Sequence, residues 1–143
     1  MNESPEREIA MLMDRFMRRT HAGIHAKAKA FDTERVGPNG GMMLLALSDL
    51  QPAPISELAR EVTRDKAQVT RAIQRFERLG LVKRQTLDDD ARVSLLSLTS
   101  KGETFVEGIR VILTDTLEAL LAPCNTEDRA SIKRILQLCV GSS

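Results

Sequence analysis

Residues 55–102 read ISELAREVTRDKAQVTRAIQRFERLGLVKRQTLDDDARVSLLSLTSKG, and the order of signals within them decides the fold. Ile55 to Val62 has the make-up of a short helix, with Ser56 as its candidate cap and Glu57 suited to the positive N-terminal end. Thr63 to Asp65 reads as a turn. Asp65 followed three residues later by Gln68 resembles a capping box and opens a second helix that reaches Leu79. Gly80 then supplies the left-handed residue that ends a helix. Beyond it the period shortens: Leu81–Thr86 and Val93–Leu98 read as two strands, joined by the polar loop Asp88-Asp89-Asp90-Ala91-Arg92. Two helices across a short turn, followed by a hairpin, make a winged helix-turn-helix.

Outward from this head the chain is helical. Thr99 can cap a long helix to Leu121 that keeps Phe105, Ile109, Ile112, Leu113, Thr116 and Leu120 on one side. Pro123 breaks it, and Thr126-Glu127 opens a last helix through Ile132, Ile135, Leu136 and Cys139. On the other flank, Pro5 to Phe31 is an amphipathic helix with Ile9, Leu12, Met13, Phe16, Met17 and Ile24 near helical spacing. Gly37-Pro38-Asn39-Gly40-Gly41 is a strong turn signal, Met42 to Leu50 a short apolar helix, and Gln51-Pro52-Ala53-Pro54 its stop. The expected fold is mostly α with a small two- to three-stranded β wing. A single domain over 1–143 is expected, with helices over 5–34 and 103–141 flanking a winged head at 38–99. The flanking apolar stripes exceed what so small a head can bury, and a second copy of the chain is the economical partner, which makes a homodimer the expectation.

Composition narrows the function. Charged residues are 29% and hydrophobic residues 42% of 143, an ordinary globular balance. The longest apolar run, Gly40 to Leu47, is too short to span a bilayer, and the acidic start Met1-Asn2-Glu3-Ser4-Pro5-Glu6 lacks the order of a signal peptide, so a cytoplasmic protein without membrane association is expected. The net charge of +1 hides an asymmetry: residues 60–86 hold eight Lys/Arg against three acids, whereas residues 103–143 hold four against six. A basic middle between neutral or acidic flanks suits a protein that meets phosphates with one face, although a solvated helix face gives the same count. No phosphate loop, nucleophile elbow or His-supported nucleophile is present, so an enzyme is not expected and no cofactor is implied. Asp88-Asp89-Asp90 lacks the alternation of a calcium loop.

On a helical wheel, Val69, Ala72, Ile73 and Phe76 share one side of the 65–79 helix and must face the core, while Ala67, Thr70, Arg71, Gln74, Arg75 and Arg78 share the other. Small or polar residues near the N-terminus allow close approach to base edges, and arginine can pair with guanine. Ala67, Thr70 and Arg71 are the expected base readers, with Gln74 suited to adenine; Arg75 and Arg78 lie farther along, toward the DNA backbone or solvent. Lys66 and Gln68 flank the face, and Lys83 and Arg84 on the first strand suit phosphates. At the wing, an aspartate could hold Arg92 extended into a narrow minor groove, or the same residues could simply shape a hairpin turn. The rival to DNA reading is a winged helix that docks proteins, which would expose apolar anchors rather than Arg71, Gln74 and Arg75.

With these residues on the page, residues 55–102 resemble the MarR family of bacterial transcriptional regulators. The similarity lies in Ile55-Ser56-Glu57-Leu58-Ala59-Arg60, in Val69-Thr70-Arg71, in Leu79-Gly80-Leu81-Val82-Lys83-Arg84, and in a wing signature D-x-R-x5-L-T-x2-G met by Asp90, Arg92, Leu98, Thr99 and Gly102. The resemblance implies a homodimer whose two recognition helices read a pseudo-palindromic double-stranded operator, usually as a repressor. It also implies Arg92 as a minor-groove arginine with Asp90 as its orienting partner. Phe76 stands where the family usually has leucine, and Gly40 and Gly41 loosen the start of the second helix. The family further implies release by a small lipophilic or phenolic ligand, for which Phe31, Met42 and Met43 are candidate lining residues, though each also suits a core. His21 and His25 have the i, i+4 spacing that can chelate zinc, but no third ligand is evident, so no metal is expected. Cys124 and Cys139 are too few for a disulfide framework and could sense oxidant or be inert.

Overall fold

A computed structural model describes residues 4–87 and 90–141, with the side chains of Leu87 and of residues 90–92 outside that description. The order is α1 (Pro5–Phe31), α2 (Gly37–Leu50), α3 (Ile55–Glu61), α4 (Lys66–Arg78), β1 (Val82–Leu87), β2 (Asp90–Leu98), α5 (Ser100–Leu120) and α6 (Thr126–Val140). The chain is mostly helical and carries one antiparallel two-stranded sheet. It divides into two compact units: one joins the chain up to Ala26 with the chain from Ile112 on, and the other is Lys27–Val111. Among the described residues, no helix is long and apolar enough to cross a membrane.

The Lys27–Val111 unit holds the core. Leu44 and Leu47 from α2, Leu58 from α3, Val69, Ile73 and Phe76 from α4, Leu96 from β2 and Val106 from α5 are almost completely buried. The apolar side of α4 is thus the one that the wheel selects, with Ala72 half-buried beside it. β1 and β2 pair from Val82↔Leu98 to Thr86↔Ser94, with an irregularity after Thr86. Ala53 adds an isolated antiparallel bridge to β2, donating to the Leu96 carbonyl at 3.1 Å and accepting from its N–H at 2.7 Å. The hairpin therefore starts from a backbone connection that lies just ahead of α3.

Two expectations about helix starts are corrected. The turn signal at 37–41 is the first part of α2, which begins at Gly37 with Pro38 among its first residues. Pro is at home there because its missing N–H has no helical partner to bond. Gly40 and Gly41 are buried rather than loose. A Cβ on Gly40 would stand 2.7 Å from Val36 Cγ1 and 3.1 Å from Phe76 Cζ, so the glycine makes room for the phenylalanine ring of α4. Phe76, larger than the leucine usual in the resembled family, is matched by this missing methyl group. The second correction concerns α3, whose cap position is Pro54 without a side-chain hydrogen bond, so Ser56 lies inside the first turn.

Other boundaries follow local chemistry. The Asp65 carboxylate accepts from the Ala67 N–H at 3.4 Å and caps α4. At its far end, Gly80 has φ +74°, the Gly80 N–H donates to the Glu77 carbonyl at 3.0 Å, and the Leu81 N–H donates to the Phe76 carbonyl at 2.9 Å. This crossed pair, with Phe76 and Leu81 both buried, is a Schellman closure that turns the chain directly into β1. Thr99 caps α5, its hydroxyl accepting from the Gly102 N–H at 3.0 Å. α6 opens on a reciprocal cap between Asn125 and Asp128, a stronger start than Thr126-Glu127 alone suggests.

Candidate nucleic-acid interface

α3 and α4 are separated by residues 62–65, where Thr63 takes φ +48° and the Arg64 N–H reaches back to the Ala59 carbonyl at 3.1 Å. This short reversal sets the two helices of a helix-turn-helix. Because Val69, Ile73 and Phe76 anchor α4 inward, its opposite side is presented to solvent. Lys66, Ala67, Gln68, Arg71, Gln74 and Arg78 are exposed there, and Thr70 is half-buried. The Thr70 hydroxyl donates to the Lys66 carbonyl at 2.8 Å. The side chains of Lys66, Gln68, Arg71, Gln74 and Arg78 bond no other described group, so their donors stay available to a ligand.

The remaining cations differ in placement. Lys83 is exposed on β1 without a described partner. Arg84, on the same strand face as buried Val82, turns back to α4, where its Nε donates to Glu77 Oε1 at 2.8 Å with both side chains about a third exposed. Such a pair contributes little to stability, about 0–1 kcal/mol, and mainly orients the guanidinium. Lys66 and Arg84 line an open cleft of about 220 Å³ together with Ser56 and Ser94. Arg75 departs from expectation. It is half-buried, and its Nη2 donates to the Glu34 carbonyl at 3.0 Å and the Arg35 carbonyl at 2.6 Å, so it points along the protein instead of outward. The wing roles expected of Asp90 and Arg92 concern side chains outside the described residues, although both positions lie in β2.

These elements, in this order, match known proteins. The sequence model of the MarR family covers residues 40–94. Over that stretch the chain is similar to the MarR family. Among its relatives, the HTH-type transcriptional regulator TcaR of Staphylococcus aureus (strain Newman) is 28% identical over 97 residues, 66% of this chain and 64% of TcaR. An HTH-type transcriptional regulator of Bacillus subtilis, YdgJ, is 30% identical over 81 residues, 57% of this chain and 49% of YdgJ. The chain thus matches under two-thirds of either relative's length. The fold extends further: a MarR cysteine-to-serine variant from E. coli superposes with TM-score 0.76 over 99% of both chains at 18% identity. The MarR wing signature therefore sits in a winged helix-turn-helix, and two of its described residues have structural duties. Thr99 bonds the Gly80 carbonyl and caps α5, and a Cβ on Gly102 would fall 2.1 Å from the Leu81 carbonyl oxygen. Both fasten the start of α5 to the turn that ends α4.

The structure places the three expected ligand-lining residues in different surroundings. Phe31 packs on Phe105, ring centroids 4.9 Å apart, and lies so close to Gly108 that a Cβ there would be 2.3 Å from its ring. Met43 is buried in the core, whereas Met42 is exposed and borders an open cavity with Ala46, Asp49, Glu61 and Val62. Consecutive residues on a helix point about 100° apart, and here Met43 faces the core while Met42 faces solvent. His21 and His25 are exposed on α1, and among the described residues no cluster of three His, Cys, Asp or Glu forms around them. Cys124 is half-buried and Cys139 exposed, both as free thiols.

Proposed function

We propose that the chain is a sequence-specific regulator of transcription that binds a pseudo-palindromic double-stranded DNA site as a homodimer and acts in the cytoplasm as a repressor. The observation that carries this reading is the outer side of α4. Lys66, Gln68, Arg71 and Gln74 stand exposed and unengaged on a helix whose opposite side is locked into the core. That arrangement offers bidentate donors to base edges at no cost in broken internal bonds. Lys83 supports the same reading as a phosphate contact. Asp90 and Arg92 keep their proposed minor-groove role on the strength of the family pattern. Release by a small lipophilic or phenolic ligand is proposed on that pattern alone, with Phe31, Met42 and Met43 as its candidate lining residues.

The test is enrichment of duplexes from a randomised DNA library by the full chain. One preferred sequence with inverted half-sites is expected, and its binding constant should fall steeply with salt, by about 0.9 logarithmic units per phosphate contact per tenfold salt. No enrichment at physiological salt would instead favour a winged helix that docks a protein.

The dimer rests on a separate observation. α1 and α6 contain no buried residue, and Ile9, Leu12, Leu138 and Val140 are 62%, 61%, 72% and 80% exposed. Large apolar side chains so open at both ends of the sequence are suited to a partner surface. Sedimentation velocity is expected to give twice the 15.9 kDa chain mass for the natural protein and the single-chain mass for a Leu12→Glu/Leu138→Glu double variant. A natural chain that sediments as a monomer at micromolar concentration would remove the dimer from the proposal.

A further inference from the structure

The connection between α1 and α2 is held from three sides. The Asp32 carboxylate accepts from the Val36 and Gly37 N–H groups, each at 2.8 Å. Arg35 adopts φ +55°, a backbone state that side chains other than glycine rarely take, and Gly37 follows at φ +79°. Arg75 then holds the outward carbonyls of Glu34 and Arg35 with one nitrogen. Lys101, from the first turn of α5, donates to the Glu34 carboxylate at 2.6 Å and to the Leu79 carbonyl at 2.8 Å. The C-terminal half of α4 is therefore tied to residues 34–35 twice, directly at position 75 and through Lys101 at position 79.

We propose that Arg75 is a positioning residue for DNA reading, one that sets the pose of α4 against the 32–37 connection and contacts neither phosphate nor base. The inference rests on the DNA-reading proposal above. Its physical basis is the difference between Arg75 and Arg71, one turn earlier on the same helix. Arg71 is exposed and unengaged, whereas Arg75 is half-buried and committed to two carbonyls in a strained loop. Val36, inside that loop, is itself buried and lies against the space that Gly40 leaves open. Releasing the carbonyls frees the loop and the helix together. By linkage, DNA that demands one pose of α4 tightens residues 32–37 in return.

The experiment measures binding of the duplex enriched by the natural chain, over a series of salt concentrations, to Arg75→Gln and Arg75→Lys. Arg75→Gln is expected to bind about tenfold more weakly, the scale of losing hydrogen bonds from a charged donor, with its salt slope unchanged. Arg75→Lys, which can still donate to both carbonyls, is expected to recover most of the loss. Without DNA, hydrogen exchange at Val36 and Gly37 should quicken in Arg75→Gln, and DNA should slow it in the natural chain. A salt slope shallower by about 0.9 in Arg75→Gln would make Arg75 a phosphate contact and overturn the inference while leaving DNA reading intact. Unchanged affinity, or unchanged exchange at Val36 and Gly37, would overturn it as well. Failure of the natural chain to enrich any duplex would overturn the DNA-reading proposal and this role with it.

Discussion

Gly102→Ala is expected to destabilise the protein by about 3 kcal/mol, because an added methyl group would have to enter space already occupied by backbone. The new Cβ would lie 2.1 Å from the Leu81 carbonyl oxygen, 3.1 Å from the carbon that bears it and 3.3 Å from Leu98 Cβ. A flexible side chain could swing aside; this carbonyl cannot, because it already accepts from the Thr99 N–H at 3.0 Å and leads directly out of the Schellman closure at Gly80. Moving it disturbs the α4 exit, the start of β1 and the cap of α5 together. For a chain of this size the loss corresponds to roughly 10 °C in melting temperature. Circular dichroism melts must be compared at one protein concentration, since self-association raises the midpoint by mass action. Gly41→Ala is the control: its Cβ would meet only Ile109 Cδ1, at 3.4 Å, inside a helix that alanine favours. A Gly102→Ala midpoint within about 2 °C of the natural chain would show that the Leu81 carbonyl yields more easily than its bonding implies.

Arg71→Ala is expected to weaken binding to the selected duplex by 1–3 kcal/mol, roughly 5- to 150-fold, while binding to a shuffled duplex falls far less. Arg71 is exposed near the middle of α4, with no internal bond to lose, so its removal leaves the fold untouched. Bidentate donation to a base edge depends on the guanidinium fork, and Arg71→Lys should therefore restore little. That separates it from Arg75, for which lysine is the rescuing change. Fluorescence anisotropy with both duplexes reads the difference. An equal loss on the two duplexes, with a shallower salt slope, would reassign Arg71 to the phosphates.

The helix-turn-helix and wing were legible because their signals are local. Asp65 at a cap, Gly80 at a left-handed end and Thr99 ahead of α5 each act within three residues of their own position. The side of α4 that faces inward was legible too, since the 3.6-residue period alone separates Val69, Ile73 and Phe76 from Arg71 and Gln74. The start of α2 was not. Glycine signals a turn in a sequence, and only the three-dimensional neighbour Phe76 shows that Gly40 serves close packing inside a helix. The partners of Arg75 are hidden in the sequence for a related reason. Its acceptors are backbone carbonyls 41 and 40 residues away, and a carbonyl carries no residue-type signature. Met42 and Met43 share a chemistry in the sequence, while the structure gives them different exposures, 48% and 7%.

The paired Ala53–Leu96 bonds tie β2, the strand that returns from the hairpin, to the segment that launches α3. The helix-turn-helix and the hairpin thereby share one anchor, like the two jaws of a caliper on a common beam. If the chain binds DNA as proposed, such a gauge would favour sequences whose natural groove spacing already fits over those that must be bent to size. Selectivity of that kind would register in base pairs that neither jaw touches.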